Sequence, residues 1–159
     1  MFDSQTPDEK VQLEARVAAE LAALQAASDD SDRALADHLG IGRTDLRCLD
    51  VIMRQGPQSA GRLAELLHLT PGSVTALLGR LEAKGYAVRE PDPTHGKRIL
   101  IRPTARVVDL VTPVIASRIA RGRTRLAGYS IAELTLIQEF LVQTRESHEQ
   151  FTENLGAVP

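Results

Sequence analysis

The chain has 159 residues, 43% of them hydrophobic, and a net charge of −2, which suits one domain with an added dimerisation element. No apolar run approaches the roughly 18 residues of a membrane span, and the acidic N-terminus lacks the basic and apolar regions of a signal peptide. A single cysteine excludes an internal disulfide. We therefore expect a soluble protein of the cytosol, with no membrane partner.

Charge is distributed unevenly along the chain. Residues 1–32 hold two basic residues against eight acidic ones, whereas residues 70–106 hold seven basic residues against three acidic ones. A basic region on a nearly neutral protein is typical of a surface that binds a polyanion. The distribution therefore indicates residues 70–106 as a candidate surface for nucleic acid.

The N-terminal region is predicted to be helical. Residues 6–9 (Thr-Pro-Asp-Glu) combine an N-cap, a proline at the first helical position and a glutamate that can close a capping box. The apolar and alanine-rich pattern predicts a helix to about Ala27, a loop at residues 28–32 and a short helix at residues 34–39. The first helix needs a partner for its apolar side, either another subunit or the C-terminal helices. Residues 1–32 are interpreted as a dimerisation helix.

Residues 33–102 are predicted to form a DNA-reading unit, which begins with supporting helices. Thr44 is expected to cap one helix, which Gly56 stops, and Ser59 is expected to cap the next, over residues 61–68. Leucines at helical spacing give both segments an apolar side. Such helices would support a third one in a helix-turn-helix arrangement.

The third helix of this unit carries strong local signals. Thr70 is an N-cap residue, Pro71 suits the first helical position, and Gly85 suits the left-handed cap at the end. One face is apolar and consists of Val74, Leu77, Leu78 and Leu81. The opposite face is small and hydroxylated, with one long cation, and consists of Gly72, Ser73, Thr75, Ala76, Gly79 and Arg80. Because small residues allow close approach and Ser, Thr and Arg reach phosphates and base edges, this helix is predicted to read DNA.

A hairpin with a charged tip follows this helix. Residues 86–89 and 99–101 are predicted as strands, and the connection over residues 90–98 carries His95, Gly96, Lys97 and Arg98. A helix-turn-helix followed by a basic hairpin is typical of a winged helix-turn-helix. The predicted fold class is therefore mainly α with a small β-hairpin wing, flanked by N- and C-terminal dimerisation helices.

Residues 103–159 are predicted to form two dimerisation helices that pair as a hairpin. The first is expected to start at Thr104 and to end at Gly128, with a kink or a new helix near Pro113, because an interior proline removes a backbone hydrogen bond. Residues 130–133 resemble a capping box that opens the last helix, and residues 157–159 are expected to fray. The apolar faces of both terminal regions predict a homodimer.

Three segments of the chain carry a characteristic pattern: residues 43–50, residues 63–75, and residues 80–89, where Arg-Leu-Glu-Ala-Lys-Gly leads towards Asp92-Pro93. In these segments the sequence resembles the MarR family of bacterial transcription regulators. The order of elements, which is an N-terminal helix, a winged unit and two C-terminal helices, also resembles that of the family. This resemblance implies a dimer that binds a pseudo-palindromic operator in double-stranded DNA, most simply as a ligand-responsive repressor.

The resemblance also implies an effector, because members of the family often respond to small aromatic or lipophilic ligands or to oxidants. By analogy with the family, a ligand pocket would lie near His38, Arg47 and Cys48. The alternative for Cys48 is a buried small hydrophobe, since it lies on an apolar helix and no second cysteine is available to resolve an oxidised thiol.

Two features depart from the family pattern. The wing of the family usually has an Asp-Pro-x-Asp-x-Arg run, in which the second acid pairs with the arginine, whereas His95 and Lys97 occupy those positions here. Lysine binds phosphate as a point charge but lacks the planar fork of arginine, which Arg98 could supply with a shift of register. Ala76 stands where the recognition helix of the family often has an arginine.

The predicted DNA-contacting residues lie on the recognition helix, at a preceding helix cap or on the wing. They are Ser59, Thr70, Gly72, Ser73, Thr75, Ala76, Arg80, His95, Gly96, Lys97 and Arg98. No nucleophile with a base, phosphate loop or carboxylate cluster is visible, so we expect no catalytic residues and no enzyme. The four histidines lack metal-ligand spacing, so neither a metal nor another cofactor is expected. Two alternatives stay open: a helical dimer whose winged unit binds protein, and a thiol-based redox sensor.

Overall fold

The computed structural model describes residues 7–156, so the predicted Thr6 cap and the tail at residues 157–159 lie outside the described residues. The elements, in chain order, are α1 (Pro7–Leu39), α2 (Arg43–Arg54), α3 (Ala60–Leu67), α4 (Pro71–Ala83), β1 (Ala87–Pro91), β2 (Ile99–Pro103), α5 (Ala105–Leu126) and α6 (Ile131–Gly156). The predicted fold class is confirmed: the chain is mainly helical, with one antiparallel hairpin.

The chain divides into two compact units, Met1–Asp109 and Leu110–Pro159. The first unit contains the helix-turn-helix and the hairpin, and the second contains most of α5 and all of α6. The functional division into residues 1–32, 33–102 and 103–159 stays a prediction.

Helix α1 is continuous from Pro7 to Leu39, so the predicted loop at residues 28–32 is wrong. Ser31 explains how this polar run is accommodated, because its hydroxyl donates to the Ala27 carbonyl at 2.9 Å, within the helix. Asp29 is also engaged, through an ion pair with Arg43 at 2.8 Å. Ser31 therefore bonds to the helix itself and Asp29 to the start of α2, and both contacts are compatible with a continuous helix.

The core of the first unit is built by the apolar faces of α2, α3 and α4 against β2 and the start of α5. The side chains buried there include Leu49, Ile52, Leu63, Val74, Leu77, Leu78, Leu81, Ile101 and Val107. The predicted apolar stripe of the third helix is thus confirmed. Burial of each such side chain contributes roughly 1.5–3 kcal/mol, so the packing fixes α4 by its inner face and leaves its outer face to solvent.

Local caps set the boundaries of these helices. Ser59 accepts a hydrogen bond from the Arg62 amide, and Gly85 adopts φ +68° after α4, as predicted. The prediction that Thr44 caps α2 is wrong, because the N-cap is Gly42 and the helix already includes Arg43. Thr44 therefore lies inside the first turn, where a capping hydroxyl is not needed.

The hairpin is longer than predicted at both strands. Arg89 pairs with Ile101, and the ladder continues towards the tip as far as the Pro91–Ile99 pair. Gln58 adds an isolated bridge to Ile101, with backbone hydrogen bonds of 3.2 and 2.7 Å. The wing is therefore hydrogen-bonded to the segment that leads into the helix-turn-helix.

Tyr86 joins three parts of the first unit. Its buried hydroxyl donates to the Leu39 carbonyl at the end of α1, at 3.1 Å. Thr104 donates through its hydroxyl to the Gly85 carbonyl at 2.7 Å and through its amide to the Tyr86 carbonyl at 3.0 Å. The Arg106 guanidinium lies 5.5 Å from the centre of the Tyr86 ring, a cation–π distance. The end of α1, the base of the wing and the start of α5 are thereby held together.

In the second unit, Ser130 and Glu133 form the predicted capping box. The Ser130 amide donates to the Glu133 carboxylate at 2.7 Å, and the Glu133 amide donates to the Ser130 hydroxyl at 3.3 Å. Hydrogen bonds from the Ser130 hydroxyl and amide lower the pKa of Glu133. Helix α6 therefore begins where the sequence predicts.

Helix α5 runs through Pro113 without a second helix start and ends at Leu126, two residues before the predicted end. The predicted new helix at Pro113 is therefore wrong, while the alternative of a kink stays a prediction. The predicted pairing of α5 and α6 as a hairpin stays a prediction. Large apolar side chains of α6, including Ile131, Phe140 and Phe151, are exposed.

Removing the Tyr86 hydroxyl should destabilise the first unit. Tyr86→Phe leaves the buried Leu39 carbonyl without its partner, so we expect the free energy of unfolding to fall by about 1 kcal/mol in urea titrations. Tyr129→Phe is the matched control, because Tyr129 is exposed and should change stability by less than about 0.5 kcal/mol. Equal stability of the two variants would contradict a structural role for the Tyr86 hydroxyl.

Candidate nucleic-acid interface

The turn between α3 and α4 sets the direction of the recognition helix α4. His68 has φ +53° and ψ +47°, the left-handed conformation that turns the chain out of α3. Thr70 then caps α4 by accepting a hydrogen bond from the Ser73 amide at 3.2 Å, as predicted. Since the inner face of α4 is packed in the core, the cap and the turn fix which residues face outwards.

The outward face of α4 carries all the predicted DNA contacts of that helix. Gly72, Ser73, Thr75, Ala76 and Arg80 are exposed, and so is the cap residue Thr70, whereas Ser59 at the cap of α3 is half-buried. A methyl group added at Gly72 or Gly79 would meet nothing within 4 Å. Most side chains on this face are therefore short, so the helix backbone can come close to a groove of DNA.

The hydroxyls on this face are partly engaged within the helix. Thr75 donates to the Pro71 carbonyl at 2.9 Å, and the hydroxyls of Thr70 and Ser73 lie 2.9 Å apart. A hydroxyl has one donor and two acceptor positions, so each retains capacity for a further hydrogen bond. Thr75 offers acceptor capacity and a methyl group to an approaching base edge.

Arg80 is bound to an acid that sequence reasoning did not single out. Its Nε donates to Asp45 Oδ2 at 3.0 Å and its Nη2 donates to Asp45 Oδ1 at 2.6 Å. The Asp45 side chain is only 4% exposed, whereas that of Arg80 is 57% exposed. The hydrogen bond with Asp45 raises the pKa of Arg80 above its ordinary value. The recognition helix is therefore joined to the first turn of α2 by a two-point ion pair.

Asp92 organises the tip of the wing. Its carboxylate accepts hydrogen bonds from the Thr94 amide at 2.9 Å and the Thr94 hydroxyl at 2.6 Å, and these bonds lower the pKa of Asp92. The Asp92 amide donates to the Arg98 carbonyl at 2.7 Å, and the Arg98 amide donates to the His95 carbonyl at 2.8 Å. The tip is thus braced by Asp92 and Thr94, without the acid–arginine pair that the family pattern led us to look for.

The tip of the wing differs from its sides in how its basic residues are paired. On the sides of the wing, Arg89 pairs with Glu82 at 2.8 Å and Arg102 lies 3.0 Å from the Glu90 carboxylate. Lys97 and Arg98 form no ion pair within residues 7–156 and are exposed. The predicted wing contacts His95, Gly96, Lys97 and Arg98 lie side by side on one open surface. His95 Nδ1 lies 3.8 Å from the Asp92 carboxylate, whereas Lys97 and Arg98 have no acidic partner among the described residues and can bind phosphate without breaking an ion pair.

The residues predicted to line a ligand pocket have different surroundings. His38 and Arg47 are exposed, whereas Cys48 is buried. A cavity of about 610 Å³ lies elsewhere in the same unit, between the end of α1, the start of α2 and the end of α4. It is lined by Asp37, Gly40, Ile41, Gly42, Arg43, Thr44, Asp45, Arg80, Ala83 and Lys84, so none of the three predicted residues lines it.

Within residues 7–156, no group of three or more His, Cys, Asp or Glu side chains is arranged to hold a metal ion. None of the helices over the same range combines the length and the apolar character that crossing a bilayer requires.

Comparison with known proteins identifies the family. A sequence profile of the MarR family matches residues 39–98, from the end of α1 to the wing tip. The HTH-type transcriptional regulator YcgE of Bacillus subtilis (strain 168) is 36% identical over 127 residues, which cover 77% of this chain and 80% of YcgE. The chain belongs to the MarR family. It is a DNA-binding transcription regulator, and the predictions of family and general function are confirmed.

Two further proteins are similar to most of the chain. The HTH-type regulator YkoM of Bacillus subtilis (strain 168) is 31% identical over 108 residues, or 66% of this chain and 70% of YkoM. The crystal structure of RV1404 from Mycobacterium tuberculosis superposes with a TM-score of 0.63 at 24% identity, covering 92% of this chain and 97% of RV1404. That likeness shows that the fold extends beyond the profile match to the terminal helices.

Cys48 is expected to be chemically inert in the folded protein. Burial, and secondarily the charge of Asp45, raise the pKa of its thiol to about 12, so the reactive thiolate is scarce at neutral pH. Cys48 should therefore react with an aromatic disulfide reagent far more slowly in native than in urea-unfolded protein. Peroxide should leave the DNA affinity of the wild type and of Cys48→Ser unchanged. Release of the wild type alone from DNA would support the redox-sensor alternative.

Proposed function

We propose that this MarR-family regulator binds a pseudo-palindromic operator as a homodimer, with α4 in the major groove and the wing against the adjacent DNA backbone. The observation that carries this proposal is the pairing of two surfaces in one unit. The outer face of α4 carries short and hydroxylated side chains, and the wing tip presents Lys97 and Arg98, which form no ion pair with any residue from 7 to 156. The first surface suits base edges and the second suits phosphates.

The helix caps supply further backbone contacts in this arrangement. Ser59 and Thr70 stand at the N-termini of α3 and α4, where backbone amides and the helix dipole favour an anion. Gly72 adds no side chain that would hold a phosphate at a distance. Ser73 and Thr75 then offer hydroxyls to the groove, while Ala76 can contact a thymine methyl group.

Exposed apolar side chains on the terminal helices support the homodimer. On α1 they include Val11, Leu13, Val17 and Leu24, and on α6 they include Ile131, Leu136, Phe140 and Phe151. Apolar patches of this extent on a soluble chain mark an interaction surface. Two copies related by a twofold axis would bury them and would present two recognition helices to two half-sites.

Family membership supports the remaining parts of the proposal. We infer that the regulator acts as a repressor in the bacterial cytosol, that it catalyses no reaction, and that a small aromatic or lipophilic effector modulates it. A pocket near His38, Arg47 and Cys48 remains the proposed place for this effector, by analogy with the family. Selection of bound duplexes from a random pool would supply the operator sequence and would show whether it is palindromic.

The wing should provide affinity that depends on salt and not on sequence. Lys97→Ala should weaken binding to operator and scrambled duplexes by similar factors, because it removes a phosphate contact. The plot of log affinity against log salt should become flatter by about one unit, or by about two if both half-sites lose a contact. The measurement is a fluorescence anisotropy titration at several salt concentrations.

The matched control for this prediction is Lys10→Ala, which removes the same charge from an exposed position on α1. The control should keep the salt slope of the wild type. If Lys97→Ala keeps it too, the wing does not touch DNA. If the wild type shows no salt-dependent affinity for duplex DNA at all, the protein-binding alternative takes the place of the proposal.

The homodimer predicts a mass of twice 17.3 kDa in light scattering at micromolar concentration. Obligate dimers bury on the order of 2,000 Å² or more, so this mass should persist on dilution and at high salt, which weakens ionic but not apolar contacts. A mass of about 17.3 kDa under these conditions would contradict the dimer.

A further inference from the structure

The ion pair between Arg80 and Asp45 uses only one edge of the guanidinium. Nε and one hydrogen of Nη2 point to the two carboxylate oxygens of Asp45. A guanidinium has five N–H groups, so both hydrogens of Nη1 and the second hydrogen of Nη2 remain. These belong to the end of the side chain, and the end is the edge with which arginine binds guanine O6 and N7 in a bidentate manner.

Both partners of this pair are held by helices that pack in the core. Asp45 lies in the first turn of α2, which is anchored by Leu49 and Ile52, and its side chain is almost completely buried. Arg80 precedes Leu81, which is fully buried in the same core. The guanidinium is therefore held in one position before any DNA arrives, so the side-chain entropy that a free arginine loses on binding has already been lost.

The pair also changes how Arg80 interacts with phosphates. A carboxylate in direct contact offsets the charge of the guanidinium, so the long-range attraction of Arg80 for the DNA backbone is weak, while its hydrogen-bond donors remain directional. The Arg80 side chain is more than half exposed, so part of it stays accessible beside the ion pair. This combination suits a residue that discriminates between bases.

We propose that Asp45 is a positioning residue for operator specificity, which holds Arg80 so that its free end reads a guanine in the major groove. This inference rests on the proposed placement of α4 in the major groove. It assigns a role to a residue of α2 that is itself buried and touches no DNA. The two residues are 35 positions apart in the sequence and act as one reading unit.

The test uses the full-length protein and the operator recovered by selection, with each guanine replaced in turn by 7-deazaguanine. This base lacks the N7 acceptor and keeps its Watson–Crick pairing. The wild type should lose affinity on the order of 10-fold at one guanine of each half-site, where Arg80 loses one of its two bonds. Asp45→Asn should lose operator preference over scrambled DNA, by about 5- to 150-fold, and should become insensitive to that 7-deazaguanine.

Matched variants show whether Asp45 positions Arg80 or only stabilises the fold. Asp50→Asn makes the same charge change at an exposed position of α2 and should retain both the preference and the 7-deazaguanine sensitivity. Arg80→Lys keeps the positive charge but lacks the planar guanidinium that donates two parallel hydrogen bonds. This variant should therefore behave like Asp45→Asn. Asp45→Asn should bind scrambled duplexes at least as well as the wild type, because the freed arginine can move to phosphates.

The outcomes that would overturn this inference are specific to it. They are a parallel loss of affinity for operator and scrambled duplexes in Asp45→Asn, or a wild-type protein that binds its operator with no guanine sensitive to the 7-deaza replacement. The second outcome needs no variant, so the inference stays testable even if Asp45→Asn does not fold. If the wild type selects no duplex from the pool, the proposed function itself fails.

Discussion

A carboxylate that is buried in a protein needs a partner, and in this winged unit Asp45 satisfies that need through Arg80 of the recognition helix. The pair crosses from the first turn of α2 to the outer flank of α4, so it fixes the angle between the supporting helix and the helix proposed to read DNA. The core residues hold α4 by its inner face alone. The ion pair adds a polar constraint on the flank, where apolar packing ends.

The rest of the DNA-facing surface follows from how charge is distributed around that constraint. Arg80, Arg89 and Arg102 each have an acidic partner, so they contribute little unscreened charge. Lys97 and Arg98 lack one within the described residues, and they lie at the tip of a hairpin that Asp92 and Thr94 hold in shape. In the proposed function, the wing therefore supplies attraction to any duplex, and α4 supplies discrimination between sequences.

Features that depend on neighbouring residues could be predicted from the sequence. The structure confirms the Thr70 cap, the left-handed conformation of Gly85 and the Ser130 capping box. Each of these features depends only on the backbone of neighbouring residues. The loop at residues 28–32 was mispredicted, because a run of Ser and Asp is typical of turns. In the structure, the Ser31 hydroxyl bonds to its own helix instead.

Features that depend on distant residues could not be predicted. Asp45 and Arg80 are 35 residues apart, and no local pattern states that they meet, although an acid flanked by the apolar positions of α2 was a sign that it faces inwards. The candidate DNA contacts come from the exposed faces of one helix and one hairpin. They remain a prediction, because DNA is a second molecule whose position the fold of this chain does not specify.

The most direct test of this account is a crystal structure of the protein bound to its selected operator. The account predicts that Nη1 and Nη2 of Arg80 lie within hydrogen-bond distance of O6 and N7 of one guanine, while Nε and Nη2 still contact Asp45. It also predicts that Lys97 lies against phosphates. A complex in which Arg80 contacts Asp45 and no base, or in which DNA lies on another face of the unit, would contradict it.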